Sequence, residues 1–310
     1  MFKRIFWLVF VLIFLISACS PQTNNENRRG VTDHDEEKLQ VSVSILPQKW
    51  FVDRIAGEWV DSMVMVGSGD DPHSYEPSPA QMVALEKSVL YFTIGIEFED
   101  AWMEKLSAVN QTMTIVDSAV GVERIAMIGG HHHHDNDVHD EPNEHDEQSL
   151  DPHIWFSPAN AKIIARNIAE ALIDYDPEHK DSYEKHLLEV LEEIDATDLS
   201  IKTLLSEKSR SHFMVVHPAW AYFAEVYDLE MIPVEIGGNE PGPEDLASLL
   251  EAVKSYEITV IFVEKGSNMN FVRTLSKQAG IYEIVEWDPM AYDWSDNMLS
   301  LAKDLKEALK

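Results

Sequence analysis

The sequence predicts an α/β protein of two lobes, each a mostly parallel sheet flanked by helices, joined by a long rigid backbone helix. Three observations carry that expectation. Short β-rich runs alternate with segments of helical spacing, the alternation occurs twice, and a long stretch of helical periodicity lies between the two sets.

In the first set the runs are VSVSIL (41–46), SMVMVG (62–67), VLYFTIG (89–95) and TMTIVD (112–117). QKWFVDRIAG and SPAQMVALEKS lie between them. In the latter, Ser78 is placed to cap a helix, Pro79 to occupy its first position, and Met82 and Leu85 to share one face. The second set comprises FMVVH (213–217), MIPVEI (231–236), TVIFVE (259–264) and YEIVEW (282–287). Its helical segments include GPEDLASLLEAVKSY, with Leu246, Leu249, Leu250 and Val253 at three- and four-residue spacing, and NFVRTLSKQAG, which ends at a C-capping Gly280.

Between the sets, SPANAKIIARNIAEALIDY opens on Ser157 and Pro158 and carries Ile164, Ile168 and Leu172 along one face. The next segment opens on Asp176 and Pro177 and predicts a helix of about 30 residues, roughly 45 Å long and enough to span both lobes. Thr197, Asp198 and Ser200 are its weakest positions. The expected organisation is a signal peptide (1–18), a lipidated flexible tether (19–39), an N-terminal lobe (40–175), a linking helix (176–207) and a C-terminal lobe (208–310).

The chain has 310 residues, 45% of them hydrophobic, which is enough for two cores and excludes global disorder. A net charge of −31 argues against nucleic acid as a partner, because such binders concentrate Lys and Arg on one face. The first nineteen residues, MFKRIFWLVFVLIFLISAC, combine Lys3 and Arg4 with an apolar run from Ile5 to Ile16 that is too short to span a bilayer. ISAC looks like a bacterial lipobox, with Cys19 as the lipidated residue anchoring the protein outside the cytoplasm. Cys19 is the only cysteine, so disulfides and thiolate metal sites drop out.

Two kinds of histidine follow. The stretch 129–155, GGHHHHDNDVHDEPNEHDEQSLDPHIW, packs six histidines (His131, His132, His133, His134, His139, His145) and seven carboxylates into residues 131–147. It has no apolar periodicity, so 131–148 reads as a mobile accessory loop that holds metal weakly and in several arrangements. Three other histidines sit beside proline at element edges: His73 in DPHSYEPSP, His153 in DPHIWFSP and His217 in VVHPAW. Ligands of open α/β sheets gather beyond the carboxyl ends of strands, and proline on either side restricts the backbone that aims each imidazole. Three such donors suit Zn²⁺. A fourth could be Asp288, directly after the last strand, although it could equally cap the turn before Pro289; Glu76 or water are the alternatives. Asp71 and Asp151, each two residues before a histidine, are placed to fix an imidazole tautomer.

DPHSYEPSPAQM, DPHIWFSPANAKIIARNIAEAL, HPAWAYFAEVYDL and PGPEDLASLLEAVKSYEITVIFVE resemble the metal-binding subunit of zinc and manganese ABC importers, the ZnuA/TroA-like solute-binding proteins, over about residues 40 to 308. The resemblance implies two α/β lobes on a backbone helix, one metal at the lobe interface, no catalysis, and delivery to a membrane permease by a monomeric receptor. The family's ligands then fall on His73, His153, His217 and, at the fourth position, Asp288. Manganese members have Glu where this chain has His217, so the resemblance implies Zn²⁺ over Mn²⁺. The other readings are a secreted zinc hydrolase, against which stand the lack of an HExxH pairing and of a general base beyond Glu76, and a metal buffer or adhesin centred on the loop.

Overall fold

The computed structural model describes residues 38–72, 74–128, 150–236 and 238–310, and among these it contains two four-stranded sheets. In the N-terminal lobe β1 (Leu39–Ile45), β2 (Val60–Val66), β3 (Leu90–Thr93) and β4 (Thr114–Asp117) are connected through α1 (Leu46–Ala56), α2 (Pro79–Leu85) and α3 (Glu97–Val109). The C-terminal lobe repeats the plan. There β5 (His212–Val215), β6 (Glu230–Pro233), β7 (Val260–Glu264) and β8 (Glu283–Trp287) alternate with α6 (Ala221–Val226), α7 (Pro243–Ser255) and α8 (Met269–Ala279). The strand orders are β2-β1-β3-β4 and β6-β5-β7-β8, and every pairing is parallel.

All eight expected strands are present, and their composition follows from burial on both faces. Val41, Ser42, Val43, Ser44 and Ile45 of β1 are all fully buried. The serines are accommodated because Ser42 Oγ pairs with Ser88 Oγ at 2.6 Å and Ser44 Oγ with Tyr91 OH at 3.0 Å. At the end of β1, Gln48 Oε1 accepts from the Ser44 and Ile45 amides at 3.1 and 3.2 Å, while its Nε2 donates to Phe92 O and Ser118 Oγ. One buried side chain thus ends the strand, starts α1 and ties both to β3. Ser78 caps α2 as expected, Ser157 caps α4 (Pro158–Tyr175), and Gly280 ends α8 with φ +73°.

The linking helix, α5 (Lys180–Leu205), runs for 26 residues, about 39 Å. It begins four residues after Asp176 because residues 177–179 form a tight 3₁₀ turn. Asp176 Oδ2 turns onto Tyr183 OH and His179 Nδ1, each at 2.6 Å, instead of capping a longer helix. The middle of α5 is unbroken. Thr197 is buried, Asp198 receives Lys202 Nζ at 2.7 Å and Tyr227 OH at 3.1 Å, and Ser200 Oγ donates to Ala196 O.

A final helix, α9 (Trp294–Ala308), packs on α5 and returns the chain to the N-terminal lobe, where the Trp294 ring lies 6.1 Å from both Trp50 and Phe51 of α1. One apolar cluster therefore runs from the N-terminal sheet through α4, α5, α6 and α9, and a smaller one, with Met214, Val216, Ile261 and Val263, fills the outer side of the C-terminal lobe. No helix among the described residues is long and apolar enough to cross a membrane. The expected signal, Cys19, residues 20–37 of the tether, His73 and the 131–148 stretch lie outside the described residues, and the last residue assigned to the tether, Leu39, opens β1.

Candidate metal centre

In each sheet the strand order reverses next to the first strand, between β1 and β3 and between β5 and β7, and side chains beyond the carboxyl ends of such strands converge on a crevice. A cavity of about 570 Å³ opens there between the lobes. Gly69–Pro72, Ile96, Glu97, Met127, Ile128, Pro152 and His153 line it from the N-terminal side, and His217, Glu235, Glu264, Lys265 and Asp288 from the C-terminal side.

The two described candidate histidines meet in this cavity. His153 precedes a single 3₁₀ turn (Ile154–Phe156) that leads into α4, and His217 follows β5. Their ring centroids are 5.4 Å apart at 73°. Each ring is held by a carboxylate. His153 Nδ1 lies 2.8 Å from Asp151 Oδ1, which also accepts the His153 backbone amide at 2.8 Å, so Asp151 fixes main chain and ring together. His217 Nδ1 lies 3.1 Å from Glu235 Oε2. In both rings it is Nδ1 that meets a carboxylate, an orientation in which metal-binding imidazoles are commonly held.

Burial would lower the pKa of His217, but the hydrogen bond to Glu235 and the charges of Glu264, Glu235 and Asp151 outweigh it and push the imidazole up to about 9. Asp151 is fully buried, receives Tyr222 OH on its backbone carbonyl at 3.0 Å, and its Oδ2 has no hydrogen-bond partner among the described residues. A site that collects this much negative charge around two imidazoles is suited to a cation.

Asp288 reaches the cavity wall, and both of its oxygens are engaged. Oδ1 accepts the Met290 amide at 2.9 Å, which is the turn-capping role that the sequence allowed. Oδ2 accepts Ser68 Oγ from the opposite lobe at 2.5 Å and lies 3.9 Å from Lys265 Nζ. Glu76 is exposed and is not among the residues lining the cavity. The turn ahead of His73 is built by Asp70, whose Oδ2 accepts the Gly67 amide at 3.1 Å, and Asp71 Oδ2 accepts Ser74 Oγ at 2.7 Å. Farther along, Gln81 Nε2 donates to Val64 O and Met65 O, tethering the start of α2 to the end of β2. Among the described residues alone, no three of His, Cys, Asp or Glu converge closely enough to hold a metal ion.

Glu235, Glu264, Lys265 and Ser68 are site residues that the sequence analysis did not single out. Glu264 could have been found, because it ends the VIFVE strand at a carboxyl edge. Glu235 was concealed inside the apolar run MIPVEI, of which only Met231, Ile232 and Pro233 lie in strand β6.

A sequence model described as zinc-uptake complex component A, periplasmic, matches residues 41–308. The chain belongs to this ZnuA family. Its similarity to the zinc-binding lipoprotein AdcA of Streptococcus pneumoniae is 28% identity over 271 residues, covering 87% of this chain and 51% of AdcA, so the chain spans about half the length of that relative. The manganese ABC transporter substrate-binding lipoprotein ScaA of Streptococcus gordonii is 29% identical over 291 residues, covering 90% of this chain and 87% of ScaA. A crystal structure of ZnuA superposes with a TM-score of 0.79 at 34% identity, covering 88% of this chain and all of that one. The two-lobe architecture on a long helix is thus that of the ZnuA family.

Proposed function

We propose that the chain is a high-affinity, extracytoplasmic zinc receptor that delivers Zn²⁺ to an ABC import permease and is held at the membrane by a lipid on Cys19. The observation that carries the reading is the pairing of His153 from one lobe with His217 from the other, each with Nδ1 on a carboxylate, inside the interlobe cavity. In this reading His73, His153 and His217 ligate the ion, and the fourth position is open to Asp288, Glu76 or water. The 131–148 loop, with His131, His132, His133, His134, His139 and His145, adds weaker sites.

The family's description as a zinc-uptake component and the zinc-binding name of AdcA support zinc as cargo. A manganese receptor is the second reading, favoured by the similarity to ScaA. Imidazole donors favour the softer ion, and Mn²⁺ prefers a site richer in oxygen. Metal analysis of the protein isolated from cells supplied with both ions decides between them, because Zn²⁺ outcompetes Mn²⁺ at most sites in simple competition. The zinc reading expects Zn²⁺ as the bound ion, and Mn²⁺ as the principal bound ion would contradict it.

A further inference from the structure

The cavity has one feature that does not suit a cation site. Lys265 is the only Lys or Arg among its described lining residues, facing Asp70, Asp71, Glu97, Glu235, Glu264 and Asp288. Its position is defined on three sides. Nζ donates to Ser68 Oγ at 3.0 Å, Ser68 Oγ donates to Asp288 Oδ2 at 2.5 Å, and Nζ lies 3.9 Å from that same oxygen. Ser68 belongs to the N-terminal lobe and the other two residues to the C-terminal lobe, so the three side chains bridge the lobes beside the cavity.

The backbone supports this contact. Ser68 lies in the tight turn closed by Asp70 N to Gly67 O at 3.3 Å, where Gly69 has φ +80°. Gly266, directly after Lys265, has φ +94°, and a Cβ there would meet Gly69 O at 3.5 Å. Two glycines in a backbone region that side chains rarely adopt let the two loops approach, with the Lys265 stem lying against Gly69.

We infer that Lys265, acting with Ser68, withholds the Asp288 carboxylate from the cargo ion and so determines metal specificity. The inference rests on the receptor reading above. The Ser68 hydroxyl and the Met290 amide already draw on the two Asp288 oxygens, which lowers the charge the carboxylate can offer an ion. The incoming dication would also be placed beside the lysine ammonium, and like charges at this separation disfavour one another. With Asp288 held back, the donor set keeps more imidazole character and leaves an aqueous fourth position. Such a set discriminates against Mn²⁺, which gains most from an added carboxylate. Lys265 is a specificity-determining residue in this account because it governs which donors are free.

The test is a set of metal titrations on the full chain with Lys265→Met, Ser68→Ala, Asp288→Asn and the double variant Lys265→Met/Asp288→Asn. Lys265 is half-exposed, so its replacement leaves the core intact. Expected is a gain of about tenfold in Mn²⁺ affinity for Lys265→Met, with a much smaller change for Zn²⁺, and a smaller gain in the same direction for Ser68→Ala. Asp288→Asn in the Lys265→Met background should abolish the Mn²⁺ gain. The Co²⁺ absorption spectrum of Lys265→Met should shift, and Asp288→Asn should reverse that shift. An unchanged Mn²⁺ affinity and Co²⁺ spectrum in Lys265→Met, with Zn²⁺ binding intact in the parent, would overturn this inference and leave the receptor reading standing. So would a loss of tenfold or more in Zn²⁺ affinity from Asp288→Asn alone. Absence of Zn²⁺ binding by the parent chain would overturn both.

Discussion

The behaviour of the site turns on the carboxylates behind its imidazoles. Asp151 holds the His153 ring and amide at once and has no exposed surface. Asp151→Asn keeps the shape and removes the charge, so zinc affinity measured by competition with a chelator should fall about 10- to 100-fold. His217 carries a pH signature. Its folded-state pKa of about 9 lies above the ordinary 6.5, so the interaction with Glu235 stabilises the metal-free fold fully below about pH 6.5 and is lost as pH rises through 9. The difference corresponds to about 3 kcal/mol, and thermal unfolding of the metal-stripped protein should show stability declining between pH 6.5 and 9, a slope that His217→Ala removes. His153 and His217 were legible as candidates because proline and a strand or turn boundary mark each of them. Lys265 was harder to see: it follows an ordinary apolar strand, and only the tertiary approach of the two lobes gives it a role.

At the level of elements, α5 is fixed to the N-terminal lobe by packing that includes His186. Its Nδ1 lies 3.0 Å from Ile55 O, and its Cε1 would sit 3.1 Å from a Cβ at Gly57, where φ is +60°. Gly57→Ala should therefore destabilise the fold by about 1 to 3 kcal/mol in denaturant unfolding while leaving zinc affinity unchanged, because strain and crowding fall far from the cavity. The eight strands were readable because parallel strands buried on both faces must be apolar runs, and the intervening caps repeat a Ser-Pro signal. The start of α5 was not readable. Asp176 and Pro177 look like a helix opening, but the Asp176 side chain is taken by His179 and Tyr183, which lie one and two turns ahead. Helix α9 was not among the expected elements, and its importance depends on Trp294 finding Trp50, a contact between residues at opposite ends of the chain.

The whole molecule is two copies of one sheet plan held together by more than the linking helix. Trp294 Nε1 donates to Trp155 O at 2.7 Å, Trp155 Nε1 donates to Pro289 O at 3.2 Å, and Tyr292 OH donates to Asp53 at 2.8 Å. The segment after β8 is thus bonded into the N-terminal lobe beside an apolar cluster that spans both halves. That arrangement places His153 beside His217 in the interlobe cavity, where cargo would bind. The histidine-dense stretch that dominates the sequence does not have this role in the account; the proline-flanked histidines do. The most direct test is calorimetric zinc titration of the chain lacking residues 131–148, with and without His217→Ala. Expected are about one tightly bound Zn²⁺ per loop-deleted chain, with only weak additional binding lost, and a fall in affinity of at least about 100-fold when His217 is replaced. Full stoichiometry and affinity in the loop-deleted His217→Ala protein, or loss of the tight site on loop deletion alone, would contradict the receptor reading.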